Sequence, residues 1–280
     1  MFYSPHSREE LIKILAGNLD NTYFIAGGTD LILHINNHKL TDYHIVDLTK
    51  LNEFHYIRED DEKLYIGALT TMTEICESEI IYKDFRSVYQ AAYELGSELI
   101  RNRATIGGNI ANASQCADVL LACFSFDANI KILNKNNEEK IIPISELVTG
   151  RNQTILNPDD IIIEIILEKS KEISSFRKVG SRKAVTISKL NCSAVLLVEE
   201  DIIKKANIFL GSVGTKASKA EILEKEFLGK KLSELNLNNL QKAAFEEVEK
   251  AIPTRDSKYY KRVAVQGLIE NIYEDLVNYE

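Results

Sequence analysis

Two short motifs in this chain have the residue types and spacing to meet a phosphate: Ala26-Gly27-Gly28-Thr29-Asp30 and Thr105-Ile106-Gly107-Gly108-Asn109. A diglycine removes two side chains, so backbone N–H groups can approach an anion closely, and glycine tolerates the positive φ that a concave nest of amides requires. Each motif adds a threonine hydroxyl and a short polar side chain. The first follows the apolar run Tyr23-Phe24-Ile25 and leads into Leu31-Ile32-Leu33, which reads as strand, tight turn and helix start. One such loop is more often an ordinary turn. Two of them suit a pyrophosphate.

Other groups fall near the second motif. Asp118 follows Asn109 by nine residues, in the small and polar stretch Ala111 to Ala117; it can accept hydrogen bonds from sugar-like hydroxyls, or cap a helix over Val119 to Phe126. Arg101 and Arg103 precede the motif and can neutralise phosphate, although surface is the commoner place for at least one of them. Lys178, Arg182 and Lys183 form a basic group leading into a strand, which by itself is more often a solvated edge.

Several chemistries are excluded. Neither motif is the GxGxxG of a Rossmann site or the GxxxxGK[ST] of a nucleotide triphosphatase, and there is no GxSxG elbow or Ser/His/Asp arrangement. Four cysteines (Cys76, Cys116, Cys123, Cys192) contain no CxxC pair, which argues against an iron–sulfur cage or a metal site in this chain. His34 and His38 are spaced as a zinc pair but read better as an exposed helix face. A formal net charge of −8 disfavours nucleic acid and anionic membranes as partners. Without a basic N-terminal start or an apolar run of about 20 residues, a cytoplasmic protein with reduced thiols is expected. No acid, base or nucleophile stands out, which fits a chain whose bound cofactor does the chemistry.

The elements that must position these residues alternate. A helix over Ser7 to Ala16 precedes strands ending at Ala26, at His44 to Leu48 and at Lys63 to Gly67. Two helical segments are expected from Thr71 to Leu99. A buried helix over Val119 to Phe126 is followed by a hairpin, Ala128 to Pro143, and a β-branched strand, Ile161 to Leu167. Glu168 to Ser175 shifts in composition and marks a domain boundary, with a third unit beginning near Phe176. It holds strands at Cys192 to Glu199 and Ile202 to Leu210, then helices at Ala217 to Leu228, Leu237 to Ala251 and Ser257 to Tyr279.

Ile25-Ala26-Gly27-Gly28-Thr29-Asp30-Leu31 and Ile100-Arg101-Asn102-Arg103-Ala104-Thr105-Ile106-Gly107-Gly108-Asn109-Ile110 together resemble the two FAD loops of the FAD-binding, or medium, subunits of the molybdenum hydroxylases, the family of xanthine, nicotinate and carbon monoxide dehydrogenases. The resemblance covers essentially the whole chain. It implies an α+β protein: an FAD-binding fold of the vanillyl-alcohol oxidase / p-cresol methylhydroxylase type in two α/β subdomains (1–55 and 56–170), then a C-terminal subdomain of antiparallel sheet and helices (171–280).

Carried over residue by residue, Phe24, Ile25, Ala26, Gly27, Gly28, Thr29, Asp30 and Leu31, with Thr105, Ile106, Gly107, Gly108 and Asn109, surround the FAD diphosphate. Asp118 contacts its sugar-like chain, and Ile162 and Lys178 lie near the flavin. Ser114-Gln115-Cys116 stands where relatives often have a proline, and Leu95 where some carry an aromatic that stacks on the flavin. The implied role is electron transfer. Electrons come from a molybdopterin-binding large subunit through a small subunit with two [2Fe-2S] clusters, and leave this chain as hydride to NAD. The alternatives are a stand-alone flavin oxidase of the same fold and an interaction subunit that has lost FAD.

Overall fold

A computed structural model describes residues 1–17 and 20–279. Its first unit is a small parallel sheet in which His44–Asp47 lies between Phe2–Tyr3 and Thr22–Ile25. Parallel neighbours need a crossover, and the helix Leu31–His38 supplies it, so the first glycine motif is the turn from strand to crossover helix. Helix Arg8–Leu15 begins where expected because the Ser7 hydroxyl accepts from the Glu10 N–H. It packs Leu11 and Leu15 into a core with Val46, Leu51 and Phe54.

The second unit is a five-stranded antiparallel sheet with Ile161–Glu168 at its centre, flanked by Lys63–Gly67 and Asn129–Leu133. Seven of the eight residues in the central strand are buried, which is why its sequence is isoleucine-rich rather than alternating; its one buried charge, Glu164, is paired with Lys131 and Arg58. Residues 71–99 form four helices instead of the expected two: Met72–Glu77, Glu79–Asp84, Arg86–Tyr93 and Glu98–Arg101. Serines make two of the breaks. Ser78 and Ser97 adopt extended backbone angles and cap the next helix through their hydroxyls, a competition with the helix that serine side chains regularly win.

The third unit is a four-stranded antiparallel sheet in the order Glu172–Val179, Leu190–Glu199, Ile202–Gly211, Ser218–Lys219. It therefore starts earlier than Phe176. Glu172–Val179 escapes a hydrophobic-pattern reading because Ser174 and Ser175 are buried in it, Ser174 accepting from the Ser87 N–H and Ser175 donating to Asp275. The helices Leu237–Ala251 and Lys258–Val277 complete this core.

Helix Asp118–Ser125 contacts both the helices of the second unit and the strands of the third, and all eight of its residues are buried. A helix covered on every side has no reason to be amphipathic. Its polar atoms are satisfied across the junction: Ser125 bonds Ser193 at 2.6 Å, and Asn207 donates to the Ser125 carbonyl at 2.7 Å.

Candidate functional site

The two glycine motifs meet, but they are built differently. Gly27 lies against the backbone that leads into the second motif, so closely that a Cβ on it would sit 2.0 Å from the Arg103 carbonyl oxygen. Gly28 has φ of 73°, in the left-handed region that glycine adopts without cost. Among the described residues, the N–H groups of Gly27, Gly28, Thr29 and Asp30 donate to no group of the chain. This first motif is an open nest of amides, as its sequence suggests.

The second motif is not a loop, and the reading of its amides as an open nest is corrected here. Thr105 is the N-cap of a helix spanning Ile106–Asn112, with its hydroxyl accepting from the Gly108 N–H at 3.2 Å. The N–H groups of Ile106 and Gly107 donate to the Thr70 and Ala68 carbonyls, and that of Asn109 to the Thr105 carbonyl. Gly107 is glycine for packing, since a Cβ would lie 2.6 Å from the Ala68 Cβ. Asn109 also serves the fold, its Oδ1 accepting from the Leu120 N–H at 3.0 Å near the start of helix Asp118–Ser125.

Between the motifs lies a cleft of about 160 Å³. Ala26 and Gly27 form one part of its lining, Thr105, Arg103 and Asn102 another, and Thr49, Thr71, Leu69 and His55 complete it. The polar lining thus combines three threonine hydroxyls, the Asn102 amide, one guanidinium and one imidazole with no carboxylate, a donor set that fits a diphosphate. Arg101 turns away from this role, donating to the Leu95 carbonyl with its guanidinium 5.5 Å from the Tyr93 ring centre. Of the two arginines, Arg103 is the one at the cleft.

Asp118 and Lys178 are brought together, 60 residues apart in sequence, as a nearly buried ion pair at 2.7 Å. Asp118 is the first residue of its helix rather than the cap, which is Ala117. Its other oxygen accepts from Ser188 at 2.6 Å and Asn191 at 2.7 Å, and Lys178 also donates to the Glu94 carbonyl at 2.7 Å. Burial pushes the Glu94 carboxyl above its usual range, although Lys178 opposes this. Ile162 is packed in the core cluster centred on the second unit and does not line the cleft.

Sequence reasoning missed His55. Its Nε2 donates to both Glu74 carboxylate oxygens at 2.7 Å. Glu74 is held in turn by a capping box with Thr71. Burial works against the Glu74 carboxylate, but its bonds from Thr71 and His55 keep its pKa below the usual value. No local motif marks the pair, because its members are 19 residues apart. His34 and His38 stack at 4.3 Å between ring centres, and no group of three metal-ligating side chains occurs among the described residues. No helix among them is long and apolar enough to cross a membrane.

Residues 1–168 match the family described as the FAD binding domain in molybdopterin dehydrogenase, and residues 175–276 match the CO dehydrogenase flavoprotein C-terminal domain. The chain belongs to the FAD-binding, medium subunits of the molybdenum hydroxylases. FAD is the cofactor of this subunit, and its relatives are oxidoreductase subunits. It is 28% identical to the nicotinate dehydrogenase FAD-subunit of Eubacterium barkeri, covering 99% of this chain and 96% of that one. A putative xanthine dehydrogenase FAD-binding subunit of Escherichia coli K12 is 25% identical over 96% of this chain and 92% of its own length.

The fold matches that of a carbon monoxide dehydrogenase chain from Hydrogenophaga pseudoflava with a TM-score of 0.87 at 22% identity, over 98% of this subunit and 96% of that chain. It also matches a chain of quinoline 2-oxidoreductase from Pseudomonas putida 86, with a TM-score of 0.89 at 19% identity over 99% and 96%. These likenesses support the α+β fold that the motifs imply.

Proposed function

We propose that this FAD-binding subunit is the electron outlet of a heteromeric dehydrogenase, receiving electrons from a small subunit with two [2Fe-2S] clusters and passing them to NAD. A molybdopterin-binding large subunit would oxidise the substrate. Support for the assembly comes from the relatives named as subunits of nicotinate and xanthine dehydrogenases. NAD as the acceptor is carried over from the family resemblance of the two glycine motifs.

The observation that carries the reading is the open nest of Gly27 to Asp30 beside a cleft lined without carboxylates. In this proposal Ala26 to Leu31, on the end of the strand through Phe24 and Ile25, hold the diphosphate through their amides. Thr105 completes the cleft with its hydroxyl, while Ile106, Gly107, Gly108 and Asn109 fix its wall. Asp118 and Lys178, already bonded to each other and to Ser188, Asn191 and the Glu94 carbonyl, would exchange some of these bonds for the sugar-like chain and the flavin, with Ile162 nearby. Residues 1–55 and 56–170 would enclose the cofactor and 171–280 would close over it. Bound FAD supplies the redox chemistry, taking up reducing equivalents and releasing them as hydride. The chain's own residues bind and orient it.

The test is direct. Purified protein incubated with excess FAD and desalted should retain about one flavin per chain, seen by its visible absorbance. Protein that comes through colourless would refute the reading.

A further inference from the structure

The open amides of the first motif account for one side of the cleft, and His55 stands in the same cleft with no role yet assigned. Its position is fixed on every level. The backbone around it is clamped by hydrogen bonds from the Gly67 N–H to the Tyr56 carbonyl at 2.8 Å and from the Leu69 N–H to the Phe54 carbonyl at 2.9 Å. Gly67 is glycine because a Cβ there would lie 2.4 Å from the Phe54 oxygen. The ring is held by Glu74, and Glu74 by the Thr71 hydroxyl at 2.7 Å and the Thr71 N–H at 2.9 Å. An exposed His–Glu pair by itself contributes little to stability, so a fold has small reason to fix one this thoroughly.

We propose that His55 is a direct ligand of the FAD diphosphate, and that Glu74 positions it. This rests on reading the cleft as the diphosphate site. With Nε2 donating to Glu74, Nδ1 is the ring atom left for a ligand, and among the described residues it has no partner. A phosphate oxygen offers only lone pairs, so Nδ1 must carry a proton to bond it. The charged groups at the ring and in the cleft lining are Glu74, bonded to the ring from helix Met72–Glu77, and Arg103, on the segment leading into the second motif. On a chain of net charge −8, attraction for an anion has to come from such local cations. FAD binding therefore favours the ring that carries protons on both nitrogens, Nε2–H to Glu74 and Nδ1–H to the phosphate, and any proton the free ring lacks is drawn from solvent.

Calorimetric titration of FAD into the intact chain at pH 8, in buffers of different ionisation enthalpy, measures both affinity and proton uptake. Wild type should take up protons as FAD binds. His55→Gln should bind about tenfold more weakly with no uptake. His55→Lys, already charged, should recover most of the affinity, also without uptake. Glu74→Gln should fall between wild type and His55→Gln.

Unchanged affinity and uptake in His55→Gln would overturn the proposal. So would equal weakening in His55→Gln and His55→Lys, which would mark a structural role. If wild type binds no FAD at all, the site reading itself fails, and this proposal with it; that result is distinguished by the absence of any binding heat.

Discussion

The first and second glycine motifs carry the same residue types and do different physical work. In the first, Gly28 turns the chain through positive φ, and the following amides meet no acceptor among the described residues. In the second, Thr105 closes a helix N-cap, and the amides of Ile106 through Asn109 are all engaged by the fold. In the proposed reading, one motif is the ligand surface and the other is the wall that holds it in place. Diglycine in a sequence therefore reports that two backbones must come close. Whether the second partner is a phosphate or another strand of the same protein depends on where the N–H groups go.

The largest expected effects separate those two meanings. Gly27→Ala and Gly107→Ala each drive a Cβ into fixed neighbours, at 2.0 Å and 2.6 Å, and each should cost about 2–3 kcal/mol in thermal or denaturant unfolding. Their ligand behaviour should differ. At saturating protein stability, in the cold, Gly107→Ala should still bind FAD within a few-fold of wild type, whereas Gly27→Ala should lose most of it. Equal loss in both would break the distinction.

Next in size, Thr105→Ala should cost about 1 kcal/mol through the lost cap, with FAD affinity falling a few-fold because the hydroxyl also faces the cleft. Gly28→Ala should cost a similar amount, about 1 kcal/mol, for forcing a Cβ into the left-handed region. Arg103→Gln should leave stability within about 0.5 kcal/mol and weaken FAD binding, a result that would tie the guanidinium to ligand rather than fold.

The smallest effect is on pH. Because the Glu74 carboxyl is held below its usual value in the folded state, its contribution is fully present at neutral pH and is lost as pH falls through the folded pKa. Glu74 is only partly buried and its bonds are screened by solvent, so unfolding curves at pH 7 and in acid should show its share as no more than about 0.5 kcal/mol, absent in Glu74→Gln.

How much of this was legible in the sequence varies by physical cause. The strand-turn-helix around Gly27-Gly28 follows from local pattern alone. The buried helix Asp118–Ser125 was legible because apolar residues run around its whole circumference. The helical character of the second motif was available in one signal, a threonine three residues before Gly108 in N-cap spacing, but the diglycine reads more loudly as a turn. Strand Glu172–Val179 was hidden because its buried serines are satisfied by Ser87 and Asp275, groups distant in sequence. The pairs His55–Glu74 and Asp118–Lys178 exist only through tertiary contact, and no spacing rule reaches them.

The distinction between the motifs is tested most directly by amide hydrogen exchange resolved to single residues, with and without FAD. Gly107, Gly108 and Asn109 should be protected in the free protein and change little when FAD is added. Gly27, Gly28, Thr29 and Asp30 should exchange rapidly in the free protein and become protected with FAD. Fast exchange in both motifs, followed by equal protection on binding, would contradict the account.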